Sequence, residues 1–166
     1  MTAETRDNQH PAPAMETAEG TRIRMDNTQK ITSSGVPWTE DQVIRFHAGL
    51  PGFESARKFI IMSVPEHQPF HWMECVDEGN NIRFAVINPL AFRPDYQPKI
   101  KKDELAALDI RDPKDLLLYV IVTLRTPLVE STANLMGPLF INIRDRVGRQ
   151  IIIENDAYSL RERIIP

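Results

Sequence analysis

The chain has 166 residues, 42% hydrophobic and 26% charged, which suits one globular domain with a real core. A formal charge of -3 gives no global basic field to draw in nucleic acid, and the single cysteine, Cys75, excludes an intramolecular disulfide and fits a reducing cytoplasm. Every apolar run falls short of the about 20 residues a membrane-spanning helix needs, so no membrane partner is expected, and acids and prolines at the N-terminus in place of a basic then apolar stretch predict no export signal.

Residues 1–20 are rich in Thr, Ala, Pro and Glu with almost no large apolar side chain, which predicts a disordered tail. One domain is expected over 21–160, with a C-terminal tail at 161–166. Ile23 and Met25 alternate weakly, suggesting an edge strand at Thr21–Met25, and Asp26–Pro37 reads as a polar connection through Ser33-Ser34-Gly35. Val43–Phe46 is a short strand running into a tight turn, Leu50-Pro51-Gly52-Phe53-Glu54. Phe59–Val64 is a buried-type strand, and Phe70–Val76 with Ile82–Ile87 forms a hairpin around Asp77–Asn81.

Two prolines keep Phe92–Pro98 extended. Asp103 is expected to cap a short helix reaching Leu108, with Leu105 and Leu108 on its inner face. Leu116–Leu124 is apolar, β-branched and bounded by Asp112-Pro113 and Thr126-Pro127, the signature of a central strand buried on both faces. Ser131–Pro138 is a polar turn. Leu139, Ile141 and Ile143 then point one way and Phe140 and Asn142 the other. A turn at Asp145–Gly148 is expected to bring Gln150–Glu154 back onto Leu139–Ile143. Short strands, 13 prolines and little helix argue for an all-β protein: a small antiparallel β-barrel-like or sandwich domain with one short helix.

Few residues point to covalent or metal chemistry. His67 and His71 are four apart, but Pro69 breaks the helix that would align them, and adding Cys75 leaves too few ligands for a metal site. Cys75 lies among Glu74, Asp77 and Glu78, which oppose a thiolate. Ser131 lacks a nucleophile elbow, the glycines lack phosphate-cradling spacing, and Lys99, Lys101 and Lys102 read as a solvated edge. No catalytic, cofactor or metal residue is assigned. The acidic run Glu66, Glu74, Asp77 and Glu78 has two readings: a solvated hairpin, or a field that steers a basic protein partner.

Five segments in order resemble the flagellar assembly factor FliW family. They are Leu50–Glu54, Phe92–Tyr96, Ser131–Leu135 through Pro138 with Ile141-Asn142, Gly148-Arg149-Gln150, and Asn155–Ser159. The resemblance implies an all-β, barrel-like protein without catalysis that works in the cytoplasm by exchanging protein partners. The same resemblance implies that it binds flagellin and, once flagellin is exported, binds the RNA-binding translational repressor CsrA and releases flagellin message allosterically, with no direct contact to nucleic acid. Candidate contacts are Phe92, Asp95, Tyr96, Ser131, Thr132, Asn134 and Leu135, together with Glu74, Asp77 and Glu78. Two roles stand for Asn134 and Leu135: partner contact, or satisfaction of buried backbone and core packing. A different class also fits the size, a small β-barrel holding a flavin or other small ligand. An oligonucleotide-binding barrel would need a basic groove with stacking aromatics, which the composition disfavours.

Overall fold

The computed structural model describes residues 29–165, so the expected tail at 1–20 and the edge strand at Thr21–Met25 lie outside the described residues. In chain order the strands are β1 (Lys30–Ile31), β2 (Pro37–Trp38), β3 (Ile44–Arg45), β4 (Lys58–Ser63), β5 (His71–Cys75) and β6 (Arg83–Ile87). A helix, α1 (Lys102–Ala106), precedes β7 (Leu116–Thr123), β8 (Thr132–Ala133), β9 (Leu139–Asn142), β10 (Val147–Gln150) and β11 (Glu162–Arg163).

Seven of these strands close a barrel. From β3 the sheet steps antiparallel through β4, β5 and β6 to β7. The first half of β7, Leu116–Tyr119, pairs with β9, which pairs with β10, and β10 lies parallel to β3 to complete the ring. The second half of β7, Val122–Thr123, pairs instead with β8, and β8 carries β11 as an outer flap.

The apolar run of β7 is explained by this position. Leu117, Tyr119 and Ile121 face the barrel interior with Phe59, Met73, Leu139 and Ile141, while Leu118, Val120 and Val122 join an outer cluster of Tyr96, Leu108, Phe140, Ile151 and Ile153. Each large side chain buried in this way contributes about 1.5–3 kcal/mol. The outer cluster is covered by residues 92–110 and 151–165.

Several expectations shift in detail. Lys101, not Asp103, is the N-cap of α1 and no side chain caps it; Asp103 sits in the first turn, where its charge suits the positive end of the helix. Leu105 still packs inward, and Leu108 is buried just past the helix. In β9 the alternation holds through Asn142, but Ile143 is exposed because the chain has left the strand and turned. The Asn142 amide secures that turn, donating to Leu108 O at 2.8 Å and Asp145 Oδ2 at 3.0 Å.

Arg146 at φ 55 closes a tighter hairpin than expected, so Val147 and Gly148 are already in the strand. The register runs from Val147 opposite Asn142 to Gln150 opposite Leu139, and Ile151 and Ile153 continue by donating to Pro138 O and Met136 O. The residues expected as a tail from 161 make β11 and bury Ile164, since Ile164 and Ile165 have an apolar cluster to join.

The polar stretch before Pro37 is also ordered. β1 and β2 form a hairpin that lays Trp38 over Val43 and Ile60 on the outer face of β4. Beneath its Ser33-Ser34-Gly35 turn lies Glu74, cross-strand from Ile60 and 0% exposed. Ser33 Oγ donates to its carboxylate at 2.7 Å, Ser34 N donates at 3.1 Å and Ser34 Oγ donates to the second oxygen. Burial raises the Glu74 pKa, but the Ser34 and Ser33 donors outweigh it, and the net shift is downward.

Two outcomes follow. A Cβ at Gly148 would stand 2.3 Å from the Phe46 ring, so Gly148→Ala overpacks the interior and lowers stability by about 1–3 kcal/mol, measured as a lower urea midpoint at unchanged slope. Because the Glu74 pKa is depressed on folding, its contribution is fully present above the ordinary value of 4.5 and is lost as the pH falls through the folded value. Acid titration monitored by tryptophan fluorescence should therefore show release of the Trp38 hairpin, and Glu74→Gln should flatten that pH dependence.

Candidate partner-binding surface

The Phe92–Tyr96 link and the Ser131–Pro138 turn, far apart in sequence, meet in the structure. Tyr96 is buried and its hydroxyl donates to Leu135 O at 2.7 Å, while Leu135 N donates to Ser159 O at 3.0 Å. The Tyr158 ring packs 4.7 Å from Tyr96, and the Tyr158 hydroxyl accepts from Gln97 N at 2.8 Å. Burial, with a smaller push from Tyr158, raises the Tyr96 pKa, so the phenol stays protonated and can donate. Arg93 ties the joint to β11, donating to Asp95 Oδ1 at 2.7 Å and to Glu162 Oε1 at 2.8 Å.

Most of the candidate contacts are engaged in this joint. Ser131 is buried and its hydroxyl accepts from Arg125 N; Leu135 is core; Phe92 packs half-buried against the outer cluster. Asp95 is exposed apart from its arginine, and Thr132 and Asn134 are half-buried. Asn134 Oδ1 accepts from Met136 N at 3.0 Å, and its side chain also reaches an open groove.

The acidic run does not form one surface, which corrects the steering field. Glu74 is buried under the N-terminal hairpin, and Asp77 accepts from Arg57 N and Lys58 N to fix the start of β4. Of these three residues only Glu78 is exposed. Glu78 was expected within a cluster, but Glu74 is withdrawn from it, because the strand alternation that turns Ile60 outward turns Glu74 outward beside it, into the cover of the hairpin.

Open apolar surface lies elsewhere, at one mouth of the barrel. A groove of about 300 Å³ is lined by Phe53, Phe84, Ile121, Asn134, Ile152 and Leu160. Phe84 and Ile121 are inward-facing barrel positions at the end of their strands, and Phe53 comes from the Leu50–Glu54 turn with its ring 5.3 Å from that of Phe84. Ile152 and Leu160 are 61% and 62% exposed, so two large aliphatic side chains stand open to solvent on one groove. Sequence reasoning did not single out Ile152. The signal was Ile151-Ile152-Ile153: in an extended segment three consecutive isoleucines cannot share a face, and the middle one must point away from the cluster holding its neighbours.

The remaining candidates for chemistry have structural partners. His67 Nδ1 accepts from Trp72 Nε1 at 2.8 Å, and the His71 ring packs on Tyr119. Cys75 is buried, and burial, with Asp77 and Glu74 nearby, pushes its thiol up to about 11. Among the described residues, no group of three His, Cys, Asp or Glu side chains converges to hold a metal ion, and no helix is long and apolar enough to cross a membrane.

Comparison with known proteins supplies the family. The FliW protein family profile matches residues 27–164. Flagellar assembly factor FliW of Thermoanaerobacter pseudethanolicus is 37% identical over 131 residues, 78% of this chain and 87% of that protein. The Alkaliphilus metalliredigens factor of the same name is 35% identical over 127 residues, 76% and 78% of the two chains. A crystal structure of the flagellar assembly factor FliW superposes with a TM-score of 0.75 at 30% identity, covering 83% of this chain and 97% of the other. A closed seven-strand barrel with one helix, a matching profile over nearly all described residues and these relatives lead to one statement: the chain belongs to the FliW family of flagellar assembly factors.

Proposed function

We propose that this protein acts without catalysis, binding flagellin and the RNA-binding translational repressor CsrA by turns in the cytoplasm, so that flagellin synthesis follows flagellin export. The observation that carries this reading is the apolar groove at the barrel mouth, where Phe53, Ile152 and Leu160 stand open to solvent on a rigid scaffold. Such a surface suits a polypeptide partner better than a small ligand, which would be enclosed on most sides. Membership in a family of flagellar assembly factors supports the flagellar context. A formal charge of -3 suits a repressor that must be basic to hold RNA. Exchange needs only mass action: whichever partner is in excess over its dissociation constant holds the protein.

Within this reading Asn134 in the groove wall and Thr132 on the same side of the flap remain accessible contacts, Asp95 is exposed on the Arg93 side, and Phe92, Tyr96, Ser131 and Leu135 hold the backbone that presents them.

Purified full-length protein should co-elute with flagellin or with CsrA, never with both, and added flagellin should displace the repressor. Failure to bind either, together with turnover of a small molecule, would end this reading. Asn134→Ala removes one local hydrogen bond, so its unfolding free energy should fall by about 0.5–1.5 kcal/mol, and its partner affinity should fall as well.

A further inference from the structure

The groove has a chemically distinct end that the register of the flap defines. Val122 and Ala133 turn into the outer cluster, so their neighbours Thr123 and Thr132, paired with each other, face the groove side. Arg163 lies opposite Thr132, and its neighbour Glu162 points the other way, to Arg93. A row Thr123, Thr132, Arg163 therefore crosses the flap on the groove side, with Arg163 two strand spacings, roughly 10 Å, from the groove wall. Arg161 follows Leu160, which lines the groove itself. Both arginines are exposed, and among the described residues neither forms an ion pair, although Arg93, Arg111, Arg144 and Arg149 do. At the far end Glu54, beside Phe53, turns its carboxylate back onto Gly52 N at 2.8 Å.

From this juxtaposition we infer that the groove takes a peptide segment with an apolar face and acidic side chains on one flank, the apolar side chains seated against Phe53, Ile152 and Leu160 and the carboxylates on Arg161 and Arg163. Charge complementarity selects the occupant. Two guanidiniums without carboxylate partners at one end attract acids, and an arginine pairs a carboxylate through two parallel hydrogen bonds. The inference deepens the partner-binding reading of the same groove by giving the chemistry and orientation of the segment held there.

The test uses the full chain and two labelled amphipathic 18-residue peptides with the same leucine face, one flanked by glutamates and one by lysines, with binding followed by fluorescence anisotropy at low and physiological salt. The acidic peptide should bind and the basic one should not. Leu160→Ser and Ile152→Ser should each weaken the acidic peptide about tenfold, the scale of losing one apolar anchor, with unchanged thermal midpoints because both side chains are exposed. Arg161→Glu with Arg163→Glu should invert the preference. Equal binding of both peptides, or no effect of the double reversal, overturns the inference. So does a dimer that Leu160→Ser disperses, since the occupant would then be a second copy. The two readings fail separately. Acidic-peptide binding without capture of flagellin or repressor defeats the proposed function and leaves the groove chemistry standing, and capture of either protein unaffected by all four substitutions does the reverse.

Discussion

The division of β7 between two partners is the constraint on which the rest of the architecture depends. Its first half pairs with β9 and seals the barrel, and its second half pairs with β8 and carries the flap. One strand thus has to be apolar on both faces, supplying Tyr119 and Ile121 to the interior and Val120 and Val122 to the outer cluster. Where β7 changes partner from β9 to β8 the groove opens at the barrel mouth, with Ile121 and Thr123 from β7 in its wall. The opening is a by-product of barrel closure, held by the same backbone hydrogen bonds that stabilise the core.

The sequence features that revealed the fold were local. Leu116–Thr123 is legible because β-branched residues between prolines leave little alternative to a strand, and the β5–β6 hairpin is legible because its turn residues sit between two apolar runs. The N-terminal hairpin escaped notice because its order comes from a long-range contact. Lys30–Trp38 has few apolar side chains, and its turn is held by a carboxylate forty residues away in Glu74. The hairpin after β9 was placed a few residues late because Arg146 takes a left-handed conformation that usually calls for glycine.

The candidate site was legible in part, for an instructive reason. The segments carrying the family resemblance contain residues of both kinds, those that build the joint and those that face the groove. Tyr96, Ser131 and Leu135 belong to the joint, a hydrogen-bonded knot linking the extended link, the turn before β9 and the C-terminal segment. Asn134 serves both, bonding Met136 N while reaching the groove. Ile152 and Leu160 carry the open apolar surface yet look unremarkable in sequence, since exposure depends on which face an extended segment turns outward. A motif located the neighbourhood, and strand alternation decided which side chains it presents.

The parallel pairing of β3 with β10 has a consequence for how the chain is made. Residue 45 finds its partner only at residue 147, whereas β4 through β7 pair in sequence by antiparallel steps. During synthesis a meander can therefore assemble early, but the cylinder stays unsealed until most of the polypeptide has left the ribosome. Throughout that interval β7 presents a long apolar border with no neighbour, the kind of template on which nascent chains aggregate. Arrival of β9 and β10 ends that exposure, so residues 139–150 protect the strands synthesised before them.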